Sequence, residues 1–372
     1  MKKFLKQIEN FNRRLLYSLL KIFFKNPKAS IPLDKSQIKK ILIFRYDVIG
    51  DMLVTTPVFD LIRKHLPDTE LHVLASSKNS FLIKNDERID KIYEWDKKYF
   101  SLFSLIQKMR KEKYDLILAM VLFRTTFSGL LANFIGKKKA VKVTVLHEKR
   151  KDLYSALFNV QVNLSEWRQK VTMAELQYRM ICILFDLNFN NLDINLSLPI
   201  PEENLKTAID YYSILSKKRN IILNISSRES FRKWSVENNK HLIEKIIKKY
   251  QDVRVIISSS PEDYDEAKSI CPERSEQVTL FKPTQDMWDV FALIRYSDLV
   301  ISPDTGIIHI ASMFKKPVLG LYSSINNKDS DWDAFGVPFR KILSRNSTPL
   351  STITVDEVFE AFCNLYQECF KS

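Results

Sequence analysis

The chain has 372 residues and a formal charge of +14, long enough for two domains of ordinary size. Its 45% hydrophobic and 27% charged residues are an ordinary globular composition, which excludes a disordered tail protein, a collagen-like fibre and a disulfide scaffold. The four cysteines (Cys182, Cys271, Cys363, Cys369) form no CxxC pair, so a reducing compartment is expected, and no uncharged apolar run reaches the roughly 18 to 20 residues that span a bilayer.

The charge is concentrated. Residues 1–40 hold eleven Lys/Arg against Glu9 and Asp34, and residues 137–151 hold seven against Glu148. The rest of the chain is close to neutral. Such patches suit nucleic acid, anionic lipid or a phosphorylated substrate. In the first patch Phe4, Ile8, Phe11, Leu15, Leu19 and Phe23 recur at helical spacing, with most of the basic residues off that stripe. The spacing predicts an amphipathic helix over an arm of residues 1–37, ended near Asn26-Pro27. Two readings stay open: a helix lying in the interface of an anionic membrane, or one packed on the protein with its basic face solvated. Charges recur through the segment without a small-residue cleavage site, which argues against a signal peptide.

From Ile38 short β-rich runs alternate with helical patterns, the signature of a parallel sheet covered on both faces. Strands are expected at Ile41–Arg45, Leu71–Ala75, Lys91–Trp95, Leu116–Val121 and Val141–Val145. Helices are expected at Met52–His65, Leu102–Lys111, Thr126–Phe134 and Val171–Phe185. Leu198-Pro199-Ile200-Pro201 reads as a linker. The alternation then restarts, with strands at Ile221–Ile225, Val253–Ser258, Leu299–Ser302 and Val318–Tyr322, and helices at Val236–Tyr250, Pro261–Ile270 and Gln285–Arg295. Thr354 and Glu357 form a capping-box pair that opens a last helix, to about Phe370. The expected organisation is an arm (1–37), two doubly wound domains (38–198 and 199–345) and a C-terminal helix (346–372).

Only six glycines occur, well under the usual frequency of roughly 7%. Two of them, Gly50 and Gly306, stand between a strand and a helix, where backbone N–H groups and a helix dipole can meet a polar ligand. Gly50 lies in a segment with Arg45, Asp47, Asp51 and Pro57. Gly306 lies in one with Asp304, Thr305, His309 and Ala311. These two segments, in this order, resemble the R-x-D-x-x-G-D-x-x-x-x-x-P and D-T-G-x-x-H-x-A motifs of glycosyltransferase family 9, the lipopolysaccharide heptosyltransferases. Tyr114-Asp115-Leu116 and Phe231-Arg232-Lys233-Trp234 fall where that family has similar stretches, and the likeness covers roughly residues 38–345.

The resemblance implies an α/β chain of GT-B fold, two Rossmann-like domains facing across a cleft, with the acceptor on the first and a nucleotide sugar on the second. It implies an inverting transfer without metal or cofactor, from an ADP-linked sugar such as ADP-heptose to a lipid-linked glycan of the lipopolysaccharide core. The place of work is then the cytoplasmic face of the inner membrane. The sequence has no DxD-like pair on a strand end and no His/Cys cluster.

Asp51 matches the family's general base. By chemistry alone it is either a base for an acceptor hydroxyl or a helix cap. Arg45 and Asp47 suit a structural ion pair as well as an acceptor contact. On the donor side the resemblance gives Asp304, Thr305, Gly306 and His309 to the diphosphate, with Ser226 and Ser227 after the first strand of the domain. Arg232 stands where the family has lysine, and either it or Lys233 can hold phosphate, the planar fork and the point charge being inequivalent. Glu262 or Asp263 suits a ribose diol or a helix cap. A second class of function, a non-catalytic or altered-specificity relative at the membrane surface, shares all these features except a working Asp51. A nicotinamide enzyme lacks its GxGxxG here, a P-loop enzyme its GxxxxGK[ST], and the basic patches lack the aromatic interleaving of a nucleic-acid binder.

Overall fold

The computed structural model describes residues 15–121, 126–188, 193–214, 218–272, 275–282, 286–325, 330–345 and 347–371. Phe4, Ile8, Phe11, Arg13, Arg14 and Gln285 lie outside them. The chain divides into two compact units, Met1–Arg168 with Ala174–Leu198, and Gln169–Met173 with Pro199–Ser372.

In the first unit α1 (15–23) leads into β1 (Lys40–Arg45), α2 (Ile49–Leu53), α3 (Thr56–His65), β2 (Glu70–Ser76), β3 (Lys91–Trp95), α4 (Tyr99–Lys111) and β4 (Leu116–Ala119). Then follow α5 (Thr126–Gly136), β5 (Val141–Val145), α6 (Lys151–Leu157), β6 (Val160–Val162) and α7 (Met173–Phe185). The strands form one parallel sheet of order β3-β2-β1-β4-β5-β6. Ile41 to Phe44 are wholly buried, as the unbroken apolar run of a strand covered on both faces requires. Tyr114 and Asp115 secure the far end of this sheet: the Asp115 carboxylate accepts from the backbone N–H groups of Lys39 and Lys40, both at 2.9 Å.

The second unit repeats the plan. Its elements are α8 (Glu202–Ile214), β7 (Arg219–Asn224), α9 (Val236–Lys249), β8 (Val253–Ser258), α10 (Tyr264–Ile270), β9 (Val278–Leu280), α11 (Met287–Arg295), β10 (Leu299–Pro303), α12 (Gly306–Met313), β11 (Val318–Tyr322), β12 (Phe339–Leu343) and α13 (Val355–Phe370). The parallel order β12-β11-β10-β7-β8-β9 is the first sheet's order read from the other edge. Both match the 3-2-1-4-5-6 order of dinucleotide-binding folds, whose ligands sit where the order reverses.

One expectation changes, and two elements gain their setting. Met52–His65 is two helices: Pro57 has no N–H to continue the first, and the Thr56 hydroxyl instead bonds the Leu53 carbonyl at 2.8 Å. The C-terminal helix, with its Thr354–Glu357 capping box formed, belongs to the core of the second unit through Val358, Phe362, Leu365 and Tyr366. The described part of the arm's stripe points away from the core. Leu15, Leu19 and Phe23 are exposed, and the face that meets the first unit's core carries Tyr17, Leu20 and Phe24.

Trp234 is buried in the second core, and its indole N–H donates to the Ile353 carbonyl at 2.9 Å. It thereby fixes the turn that carries Arg232 and Lys233. Trp234→Phe keeps most of the apolar contact but orphans that buried carbonyl, an expected cost of about 1–3 kcal/mol, against about 3–5 kcal/mol for Trp234→Ala. Urea-unfolding midpoints of the two variants check this ordering.

Candidate functional site

In the first unit the site grows from the end of β1. Arg45 closes the strand with its side chain 1% exposed, so its charge must be answered locally. Nη1 lies 2.7 Å from Asp47 Oδ2 and 3.6 Å from Asp51 Oδ1, and Nε donates to Thr55 Oγ1 at 2.7 Å. Thr55 in turn bonds the Asp51 carbonyl at 2.8 Å and Gln177 Oε1, on α7, at 2.6 Å. Asn79 Nδ2 donates to the Arg45 carbonyl at 2.9 Å.

Asp51 sits in the first turn of α2 with 15% of its side chain exposed. Burial, reinforced by the Asp47 charge, pushes its carboxyl up to about 7, against the opposing pull of Arg45 and of the Val48 backbone N–H. The result is a carboxyl near the working pH of a base. Among the described residues Arg45 Nη2 and Asp47 Oδ1 are buried without a hydrogen-bond partner, a donor and an acceptor left for a ligand. Thr55, Gln177 and Asn79 escape the sequence reading. Thr55 stands four residues after Asp51, one helical turn, but nothing in the sequence points to Gln177.

In the second unit the site grows from β7 and β10, adjacent strands at the reversal of order. Thr305 caps α12, its hydroxyl accepting from Ile307 N–H at 3.4 Å. Thr305 Oγ1 is 3.2 Å from Ser302 Oγ, which accepts from Asn224 Nδ2 at 3.0 Å. Asn224 also bonds the backbone of Ser226, so the Ser226 turn and the Asp304-Thr305-Gly306 turn are tied together. Arg232 Nη1 lies 3.2 Å from Asp304 Oδ2 and 3.4 Å from the Asp304 carbonyl. Lys233 turns elsewhere, to Asp263, and lies 3.9 Å from Glu266. Of these two, it is therefore the fork of Arg232 that stands beside the α12 N-terminus.

Burial raises the Asp304 carboxyl despite Arg232 and Lys341. Burial would raise Asp263 too, but Lys233, Ser226 and Ser260 hold it below the ordinary aspartate value. Asp263 follows β8, and Ser226 Oγ accepts the neighbouring Ser260 N–H at 2.7 Å. Glu262 is exposed and Ser227 half-buried. His309 is buried with Nδ1 unpartnered among the described residues, and burial lowers it to about 4, which keeps the ring neutral. Gly50 and Gly306 are ordinary helical residues; among the described glycines only Gly336 has positive φ (66°). What glycine supplies at 50 and 306 is bare backbone rather than an unusual turn.

Lys142, expected in the second basic patch, is wholly buried. It lies within β5, and its ammonium donates to Asn26 Oδ1 and the Ala140 carbonyl, both at 3.0 Å. Glu70, His72 and Glu112 stand close enough to share a metal ion. Lys40 pairs with both carboxylates and Lys91 with Glu112, so this cluster already has its cations. Glu70 opens β2 beside Lys40, at the other end of the strands from Arg45.

The sequence model of glycosyltransferase family 9 (heptosyltransferase) matches residues 102–341. A lipopolysaccharide heptosyltransferase 1 from Campylobacter coli is 22% identical over 329 residues, 86% of this chain and 93% of that protein. Among solved structures, a glycosyl transferase family 9 protein from Veillonella parvula superposes with a TM-score of 0.72 at 18% identity, covering 91% of this chain and all of that one. The Escherichia coli heptosyltransferase WaaC, solved with ADP-2-deoxy-2-fluoro heptose, gives 0.66 at 14% identity, covering 87% and 99%. With this fold and this family match, the chain belongs to glycosyltransferase family 9 and is a glycosyltransferase of GT-B fold.

Proposed function

We propose that this enzyme transfers heptose from ADP-heptose to a lipopolysaccharide-core or related lipid-linked acceptor, with inversion and without a metal, at the cytoplasmic face of the inner membrane. The observation that carries the reading is Asp51, a buried carboxyl held between Arg45 and Asp47 with its affinity for protons raised. The names of the Campylobacter coli relative and of the ligand in the Escherichia coli structure support the sugar and its carrier.

In this reading the Asp51 carboxylate takes the proton of an acceptor hydroxyl. The freed oxygen bonds to the anomeric carbon from the face opposite the diphosphate. The carbon–oxygen bond to the diphosphate breaks, and ADP leaves with the electron pair. Arg232 and the α12 N-terminus answer the charge that develops on it. Asp263, after the second strand of its unit, is the carboxylate this reading assigns to the ribose, by analogy with the acidic residue of dinucleotide-binding folds.

Asp51→Asn is expected to lower turnover by about 10²–10⁴-fold and to leave ADP affinity unchanged; turnover within a few-fold of the parent would remove Asp51 as the base. Because the active form is ionised, kcat/KM is expected to fall as pH drops through about 7. An ordinary aspartate would give its inflection near 4. A pH–rate profile distinguishes the two.

Arg232→Ala is expected to weaken ADP binding while sparing adenosine, and Lys233→Ala to do so less, since Lys233 faces Asp263 and Glu266. Calorimetric titration with both ligands measures this, and equal losses would reassign the phosphate contact. EDTA is expected to leave turnover intact; a loss restored by Mg²⁺ would put a metal in the site.

A further inference from the structure

Helix α1 has three faces. At 3.6 residues per turn, Tyr17, Leu20 and Phe24 point into the first unit's core. Lys21 lies to one side. Leu15, Leu16, Leu19, Ile22 and Phe23 fall within a single arc of roughly 120° and are between 44% and 76% exposed. A soluble surface helix ordinarily turns such an arc inward.

This helix cannot roll to hide it. Asn26, just past its end, donates from Nδ2 to Asn133 Oδ1 and to the Ala156 carbonyl, both at 2.8 Å, and accepts from buried Lys142. The backbone of Ala29 and the carbonyl of Pro27 are bonded to Asn159. Phe24 meets Phe134 edge to face at 6.0 Å between centroids. The inner face is stitched down and the outer face is held out.

The same contacts bring charge to the arc. Phe134, itself half-exposed, lies near the end of α5, and exposed Lys137, Lys138 and Lys139 follow it. Lys21 lies 3.9 Å from Asp152 on α6, whose approach carries Lys149, Arg150 and Lys151. The two basic segments, separate in the sequence, flank one apolar strip.

We propose that this strip and its basic flanks dock on an anionic lipid bilayer, the apolar arc entering the headgroup–acyl boundary and the lysines meeting anionic headgroups. A second copy of the chain would set one basic rim against another, whereas an anionic membrane complements both the rim and the strip. The surface stands independently of which sugar the enzyme transfers.

Deleting the arm would strip Tyr17, Leu20 and Phe24 from the core, so the test uses outer-face substitutions in the full chain. Flotation is measured with vesicles of equal parts phosphatidylglycerol and phosphatidylcholine, and with phosphatidylcholine alone. The parent is expected to float with the anionic vesicles, less as salt rises, and not with the neutral ones. Ile22→Asp with Phe23→Asp, and separately Lys137→Glu with Lys138→Glu and Lys139→Glu, are each expected to lower binding by about tenfold or more with unchanged melting temperature. The triple variant is also expected to flatten the salt dependence. A parent that stays at the bottom of the gradient, or variants that float equally well, would overturn the proposal. So would a concentration-dependent dimer in sedimentation that the Ile22/Phe23 variant loses, without vesicle binding; that result would give the strip to a second copy.

Discussion

Both units obey one topological constraint. Parallel strands joined by right-handed crossovers are covered on both faces, and where the strand order reverses, successive crossover helices lie on opposite faces. The carboxyl ends of the two strands at that point are left uncovered. In the first unit these are β1 and β4, and Arg45, Asp47 and Asp51 follow β1. In the second they are β7 and β10, which deliver Ser226 and Asp304-Thr305-Gly306. Each cluster of polar side chains stands where the fold has no helix to set over it.

The uncovered places are also where buried charge is tolerated. Each unit sets an arginine against aspartates: Arg45 against Asp47 and Asp51, Arg232 against Asp304. In both cases burial outweighs the cation, and Asp51 and Asp304 are easier to protonate than free aspartate. At Asp51 that is the property of a base. At Asp304 it lessens the negative charge that stands beside the α12 N-terminus. Asp263 is shifted the other way by Lys233 and two serines, so neighbouring carboxyls of the second unit differ in their readiness to carry charge.

Much of this was legible in the sequence because it depends on local pattern. Strands such as Lys91–Trp95 and Val318–Tyr322 are short β-rich runs between helical patterns, and the loops after β1 and β10 carry motifs. What escaped was short or non-local. Strands β6 and β9 have three residues each, too few for a period to register. The weakly patterned α6 and α8, and β12 near the chain's end, were missed as well. Lys142 looked like part of a charge run because its neighbours in sequence are lysines, yet it pairs with Ile117 in mid-sheet. The arm's stripe was found by period, but periodicity cannot say which of two apolar faces the core will take. Gln177 reaches Thr55 across 122 residues, a distance no local signal spans.

The bond from Trp234 to the Ile353 carbonyl joins two parts of the chain with unrelated apparent duties. Ile353 immediately precedes Thr354, which caps α13, while Trp234 immediately follows Arg232 and Lys233. The final helix is thus a foundation stone of the cationic turn, not a trailing appendage. A lesion near the carboxyl terminus, through a frameshift, a proteolytic nick or a bulky fusion, would reach Arg232 through one indole. Damage of that kind would disturb the Arg232–Asp304 pair, although neither residue had changed.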